Sequence, residues 1–183
     1  MNSHMKLIIE ERQGIPRVLY KDGGRQIIIE EMSKAINSAL GQIKGILQPQ
    51  LPVGATGKLQ QGLTIDPAKA TYKGNRISGR MYTRGVARKY AGVVELGRGS
   101  PRKRPPPGSL VRWAMVKKGL SKKEAQRADF LIRRKIGREG IRPKLTWSSN
   151  MLRFKSIANR ELTRGLKNVI SRIARSPKTK RGR

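Results

Sequence analysis

Carboxylates are the side chains of this sequence best suited to chemistry, and they are few. Asp66 and Glu95 are the only acids between Glu31 and Glu124. A pair of carboxylates could serve glycoside hydrolysis or two-metal chemistry. An isolated acid in a chain with 42 Lys and Arg is far more often the local counter-ion of an arginine. We therefore expect Asp66 and Glu95 to form ion pairs with arginines.

Cys and His, the commonest catalytic and metal-binding side chains, are scarcer still. The chain has no Cys, and its one His is His4, within a Met1–His4 segment that reads as a cloning remnant ahead of a native Met5. The segment 54–58 is only superficially like a phosphate-binding loop, because it lacks the Gly-Lys-Ser/Thr ending and follows a predicted helix. The sequence therefore predicts a protein that is not an enzyme, with no catalytic residue, no cofactor and no metal. A nuclease or other phosphate-handling enzyme is the least favoured class.

The charge of the chain indicates what kind of partner it needs. The formal net charge is +31 over 183 residues. Residues 1–96 hold 15 bases and 7 acids, net +8, whereas residues 97–183 hold 27 bases and 4 acids, net +23. Such an excess repels itself and favours an acidic or polyanionic partner. No apolar run approaches the ~20 residues of a membrane span, and no secretory signal is visible, so we expect neither a membrane partner nor a small-molecule substrate.

Apolar periodicity in the first half predicts a sheet and one long helix. Short strands are expected at 6–10 and 17–20. From about Arg25, apolar residues recur at three- and four-residue steps up to Leu47, which predicts an amphipathic helix that Pro49 and Pro52 stop. Alternation at 63–66 and 76–82, around a turn at 72–75, predicts a β-hairpin. Residues 90–97 form either a strand or one helical turn.

The second half predicts helices around a basic loop. Residues 98–108 form a Pro-rich basic loop, and Ser109 is expected to cap a short helix that packs with Leu110, Trp113 and Val116. Ser121 and Glu124 make a capping box for the next helix, which Gly140 ends. A last helix carries Phe154, Ala158, Leu162, Leu166, Val169 and Ile173 on its apolar face.

The predicted fold class is α+β: a small, mostly antiparallel sheet packed with a long N-terminal helix, a helical insert and a C-terminal helix. We expect one domain over 5–175, with the basic loop at 98–108 and the insert at 109–140. The basic tail 176–183 is expected to be disordered.

Candidate contacts with DNA or an acidic protein are the bases of this loop, insert and tail. A base-rich helix face is usually just solvated, but the shortage of counter-charges here raises the odds of a contact. No sequence-reading motif accompanies the bases, so readout of DNA sequence is not expected. The candidates are Arg98, Arg102, Lys103, Arg104, Lys117, Lys118, Lys122, Lys123, Arg133, Arg134, Arg138, Lys178, Lys180 and Arg181.

The order of several motifs resembles a protein family. Leu51-Pro52-Val53 with Thr56-Gly57-Lys58-Leu59 is similar to a Pro-Val-x-Thr-Gly-x-Leu motif, and residues 90–97 are similar to Tyr-Ala-x-x-Val-Glu-x-Gly. A helical insert, the segment 141–145 and a final helix follow in the family's order. The chain thus resembles, over most of residues 25–173, the neck and tail-completion (tail-component) proteins of lambdoid siphophages and prophages.

This resemblance implies a structural role. Family members form homo-oligomeric rings at the head–tail junction of the virion, where they join connector or head-closure proteins to tail proteins around the DNA passage, after assembly in the host cytoplasm. They offer no catalytic residues to carry over. The alternative is a sequence-independent nucleic-acid-binding protein, whose affinity would fall steeply with salt.

Overall fold

The structure is a computed structural model that describes residues 4–10, 23–52, 57–71, 76–85, 87–99 and 104–175. It is mostly helical with a small antiparallel sheet, a long N-terminal helix and a long C-terminal helix, which confirms the predicted α+β class. The described elements are β1 His4–Glu10, α1 Gly24–Gln50, α2 Lys58–Gln61, β2 Leu63–Ala70, β3 Arg76–Thr83, α3 Ala87–Leu96, α4 Val111–Lys118, α5 Lys122–Glu139, α6 Thr146–Ser149 and α7 Met151–Arg175.

Contacts group the chain into two compact units. Of the described residues, the first unit holds those within Leu47–Leu63 and Thr83–Ser149. The second holds those within His4–Ile46, Thr64–Tyr82 and 150–175. The predicted single domain over 5–175 stays a prediction, while the predicted strand at 17–20, the turn at 72–75 and the tail at 176–183 lie outside the described residues.

The sheet of the second unit packs one face on α1. Its strand order is β1-β3-β2, and β1 pairs antiparallel with β3 in the register Leu7 to Gly79. Ile77, Gly79 and Met81 alternate as the buried residues of β3. A Cβ at Gly79 would lie only 2.8 Å from the Ile36 side chain, so the missing side chain lets the sheet approach the helix closely. The predicted hairpin strands are thereby confirmed.

Helix α7 packs on another face of α1. A Cβ at Gly165 would lie 2.8 Å from the Ala35 Cβ, which places the two helices in close contact there. Ser38 Oγ donates to the Glu161 carboxylate of α7 at 2.9 Å. Helix α1 therefore lies between the sheet and α7 within this unit. It includes Pro49 in its last turn and ends at Gln50, between the two prolines that were predicted to stop it.

The apolar face predicted for α7 was only partly correct. Phe154, Ala158 and Val169 are buried as expected, but Leu166 is 52% exposed. Glu161 and Gly165 occupy the buried face in its place. The small glycine and a hydrogen-bonded glutamate allow α1 to come near, and the larger Leu166 is left at the surface.

The first unit contains the predicted helical insert. Ser121 accepts from the Glu124 backbone N–H, and the Glu124 side chain accepts from the Ser121 N–H, which confirms the capping box of α5. Residues 87–96 form a helix, which settles the open choice for that segment. Two details of α4 were wrong: Leu110 is its N-cap residue in place of Ser109, and Val116 is 57% exposed while Ala114 is buried.

Candidate polyanion and partner interface

Four bases of α5 lie on one side of the helix as two pairs. Lys123, Arg127, Arg134 and Arg138 are all exposed, and their spacing of 4, 7 and 4 residues places them on one side of the helix, opposite buried Ala125. At a rise of 1.5 Å per residue the stripe is roughly 22 Å long. We call these four residues the α5 basic stripe. Phe130, 51% exposed, lies on the helix surface between the two pairs of bases.

The other predicted contact residues of the insert divide into exposed and engaged groups. Lys117 and Lys118 in the last turn of α4 and Lys122 at the start of α5 are exposed. Arg133 is different: its side chain is 15% exposed and its Nε donates to Asp129 Oδ2 at 2.7 Å. Arg133 is therefore an internal partner of Asp129, and its predicted contact with DNA or an acidic protein stays a prediction.

The described ends of the basic loop are fixed to the rest of the unit. Arg98 is half-buried, and its backbone exchanges two hydrogen bonds of 2.8 Å with Ile141. Arg104 is exposed, with its Cγ over Gly137 of α5, where a Cβ would approach it to 2.7 Å. The loop is thus anchored at both of its described ends. The candidates at 102–103 and at 178, 180 and 181 lie outside the described residues.

Buried Asp129 holds the loop onto α5. Its carboxylate is 3% exposed and accepts from the Gly108 N–H at 3.1 Å, the Leu110 N–H at 2.9 Å and Arg133. Burial raises the pKa of this carboxyl, but the two backbone hydrogen bonds and Arg133 outweigh it, so that the pKa lies below its ordinary value. Asp129 thereby fixes the start of α4 against the helix that carries the α5 basic stripe.

Glu95 caps a helix, and no arginine of the described residues pairs with it. Its buried carboxylate accepts from the Trp147 N–H at 3.0 Å, the Ser148 N–H at 2.8 Å and the Ser148 hydroxyl at 2.7 Å. These donors lie at the start of α6, where free N–H groups need acceptors. Burial raises the pKa of Glu95, but the hydrogen bonds from Ser148 and the backbone outweigh this effect, so that the pKa lies below its ordinary value. The predicted arginine ion pair was wrong here, because the described partners are two backbone N–H groups and the Ser148 hydroxyl.

Asp66 forms the arginine ion pair expected of it. Its Oδ2 accepts from Arg80 Nε at 2.6 Å, and its Oδ1 accepts from the Tyr82 hydroxyl at 3.1 Å. The Arg80 guanidinium also lies 4.9 Å from the centre of the Tyr82 ring. Asp66 is thus a cross-strand counter-ion on the sheet face away from α1.

In the second unit, charged side chains also line a groove of about 210 Å³ between α1 and α7. Buried Glu31 accepts from Lys34 at 2.9 Å and from Arg172 at 2.8 Å, and these bonds lower its pKa. Buried Glu161 accepts from Ser38 and from Arg160 at 3.3 Å. Both carboxylates therefore act as internal counter-ions that join the two helices.

Substitution of Glu95 by glutamine is expected to lower the free energy of unfolding by about 1–3 kcal/mol at pH 7, because the amide accepts fewer bonds and one donor at α6 loses its partner. The folded pKa of Glu95 lies below its ordinary value of 4.5, so its stabilisation is present above that value and is lost as pH falls through the folded pKa. Urea unfolding at neutral and acidic pH measures both. A difference between wild type and variant that does not shrink below pH 4.5 would contradict this account.

The described residues contain no group of three or more His, Cys, Asp and Glu side chains placed to hold a metal ion. In the same part of the chain, no helix combines the length and apolarity needed to cross a membrane. No protein-family model, curated protein or solved structure matches the chain. The resemblance to phage tail-completion proteins therefore stays a prediction.

Proposed function

We propose that this chain is a structural subunit of a phage head–tail junction, a neck or tail-completion protein that joins connector and tail proteins around the DNA passage. It acts in the virion, as part of a ring of identical subunits, and has no catalytic role. The observation that carries the proposal is the coexistence, on one small chain, of an exposed basic stripe and several large apolar side chains in water. A subunit buried between neighbours near DNA needs both kinds of surface.

The apolar half of this observation points to protein partners. Leu152 is 83% exposed, Ile170 67% and Leu131 63%. Single exposed apolar residues are ordinary, but groups of them on one helix mark surfaces that other proteins cover. Nucleic-acid binding alone does not explain these exposed apolar side chains, so they favour an assembly protein over a general nucleic-acid-binding protein.

The basic half supports contact with a polyanion at the same time. The four bases of the α5 basic stripe repeat along one helix side, and a duplex presents one charge per ~1.7 Å of its axis. A stripe of roughly 22 Å therefore faces many phosphates at once. The motif order described above is the second support, because it extends from the long first helix to the last.

The proposal is tested in a phage or prophage that encodes this chain. A stop codon early in its gene is expected to give DNA-filled heads and separate tails, and the intact chain supplied from a plasmid restores joined particles. Mass spectrometry of purified virions should detect the chain. Normal infectious particles without it would overturn the proposal.

The alternative, a sequence-independent nucleic-acid-binding protein, is favoured specifically by Phe130 beside the α5 basic stripe, since an exposed ring among bases suits stacking on single strands. A salt titration with random duplex and single-stranded DNA separates the two functions. Tight binding that persists at physiological ionic strength favours the alternative, whereas binding that disappears there favours a subunit whose charge faces neighbouring proteins.

A further inference from the structure

Helix α7 has an exposed apolar stripe that the fold of the second unit does not use. Leu162, Leu166, Ile170 and Ile173 follow one another at steps of 4, 4 and 3 residues, so they lie along one side of the helix. Leu166 is 52% and Ile170 67% exposed, and the other two are half-buried. We call these four residues the α7 apolar stripe. It borders the buried face that contains Val169, and it extends over three turns.

The charges on α7 restrict what can cover this stripe. Residues 151–175 contain seven bases and one acid, and that acid, Glu161, is buried against α1. Exposed Lys167 lies beside Leu166, and exposed Lys155 continues the line of the stripe two turns before Leu162. Any occupant of the stripe therefore sits in a positive potential. A second copy of a chain with net charge +31 is repelled there, whereas an acidic surface is attracted.

The shape of the stripe also fits a helix. Apolar residues on one side of an α-helix pack into another helix through side chains at positions i, i+3, i+4 and i+7. We propose that the α7 apolar stripe binds an acidic amphipathic helix of a neighbouring protein, whose apolar side covers the stripe and whose carboxylates face Lys155 and Lys167. This deepens the proposed function by naming the chemistry of a partner, and it rests on that function only in assigning the helix to a virion protein.

The test uses the full purified chain and three synthetic peptides of about five helical turns. The first carries leucines at helical spacing and glutamates elsewhere, the second has the same residues in an order that removes the apolar side, and the third replaces the glutamates by lysines. We expect the first peptide to bind at least about tenfold more tightly than either control, which corresponds to about 1.4 kcal/mol.

Two matched variants then locate the site. The double substitution Leu166→Ser and Ile170→Ser is expected to weaken binding of the first peptide at least about tenfold. The control is Leu96→Ser with Val116→Ser, two similarly exposed apolar residues of α3 and α4, which should leave binding unchanged. All four residues are more than half exposed, so circular dichroism and the unfolding midpoint should stay close to wild type.

Three outcomes would overturn the inference. Equal binding of the shuffled acidic peptide would mean that charge alone attracts it, and equal loss in both variants would mean that the stripe is not the site. A wild-type oligomer that the stripe variant converts to monomer would mean that a second copy covers the stripe. If the peptide test fails but the chain is found in virions, the proposed function is still supported. If the chain is absent from virions, a positive peptide result still supports the binding of an acidic helix.

Discussion

Replacement of the α5 basic stripe by four glutamines is expected to lower the affinity for a short random DNA duplex by about a thousandfold or more at 0.1 M salt. Each phosphate contact contributes roughly 0.9 to the slope of log affinity against log salt, so loss of four contacts reduces the slope by roughly 3.6. The four side chains are exposed, and glutamine is a good helix former, so the helix should remain intact. Fluorescence anisotropy over a range of salt concentrations measures both quantities.

The matched control removes the same charge elsewhere. Arg153, Arg164, Lys167 and Arg175 are exposed on α7. Their replacement by glutamine lowers the net charge from +31 to +27, as the stripe variant does. If the α5 basic stripe is the polyanion surface, the α7 variant loses much less affinity. Equal losses and equal slopes would mean that DNA responds to the charge of the whole chain and to no particular helix.

The elements of this fold that depend on local sequence could be predicted, and α5 shows why. Ser121 and Glu124 lie three residues apart, and the side chain of each accepts a hydrogen bond from the backbone N–H of the other. The start of the helix is therefore determined by residues within one turn. Gly119, with φ of 65°, ends α4 by the same local logic, because glycine tolerates left-handed backbone at a helix end.

The backbone partners of Glu95 and Asp129 could not be predicted, because they are distant in sequence. Glu95 accepts from residues 52 and 53 positions later, and Asp129 from residues 21 and 19 positions earlier. Almost every residue has a backbone N–H, so the sequence does not indicate which one will bind a carboxylate, whereas an arginine can be identified directly. The expectation of arginine partners was therefore correct for Asp66, where the neighbouring strand supplies one, and wrong for Glu95.

The predicted apolar face of α7 was partly wrong for a different reason. Its sequence has two apolar sides, and counting apolar residues merges them into one. The spacing of Phe154, Ala158, Glu161 and Gly165 marks the side that faces α1, because small residues allow close approach and the Ser38 hydroxyl satisfies the glutamate. Leu166 and Ile170 then belong to the second side, which the proposed acidic helix covers.

The largest effect on stability is expected from Asp129→Ala, which should lower the free energy of unfolding by about 3–5 kcal/mol at pH 7. The substitution leaves Arg133, 15% exposed, without its carboxylate, and it leaves the Gly108 and Leu110 N–H groups without their acceptor. A buried charge that loses its partner costs more than the pair itself contributes. Urea unfolding with tryptophan fluorescence reports the change, since half-buried Trp113 lies in α4.

A second variant separates the charge from the backbone bonds. Asp129→Ala combined with Arg133→Met removes both charges, and it should recover part of the loss, leaving about 1–3 kcal/mol for the two unsatisfied N–H groups. The folded pKa of Asp129 lies below its ordinary value of 3.8, so its stabilisation is present above that pH and is lost as pH falls through the folded pKa. The single variant should therefore approach wild type in acid. A single variant as stable as wild type at pH 7 would show that Asp129 does not hold the loop, and the α5 basic stripe would then need another support.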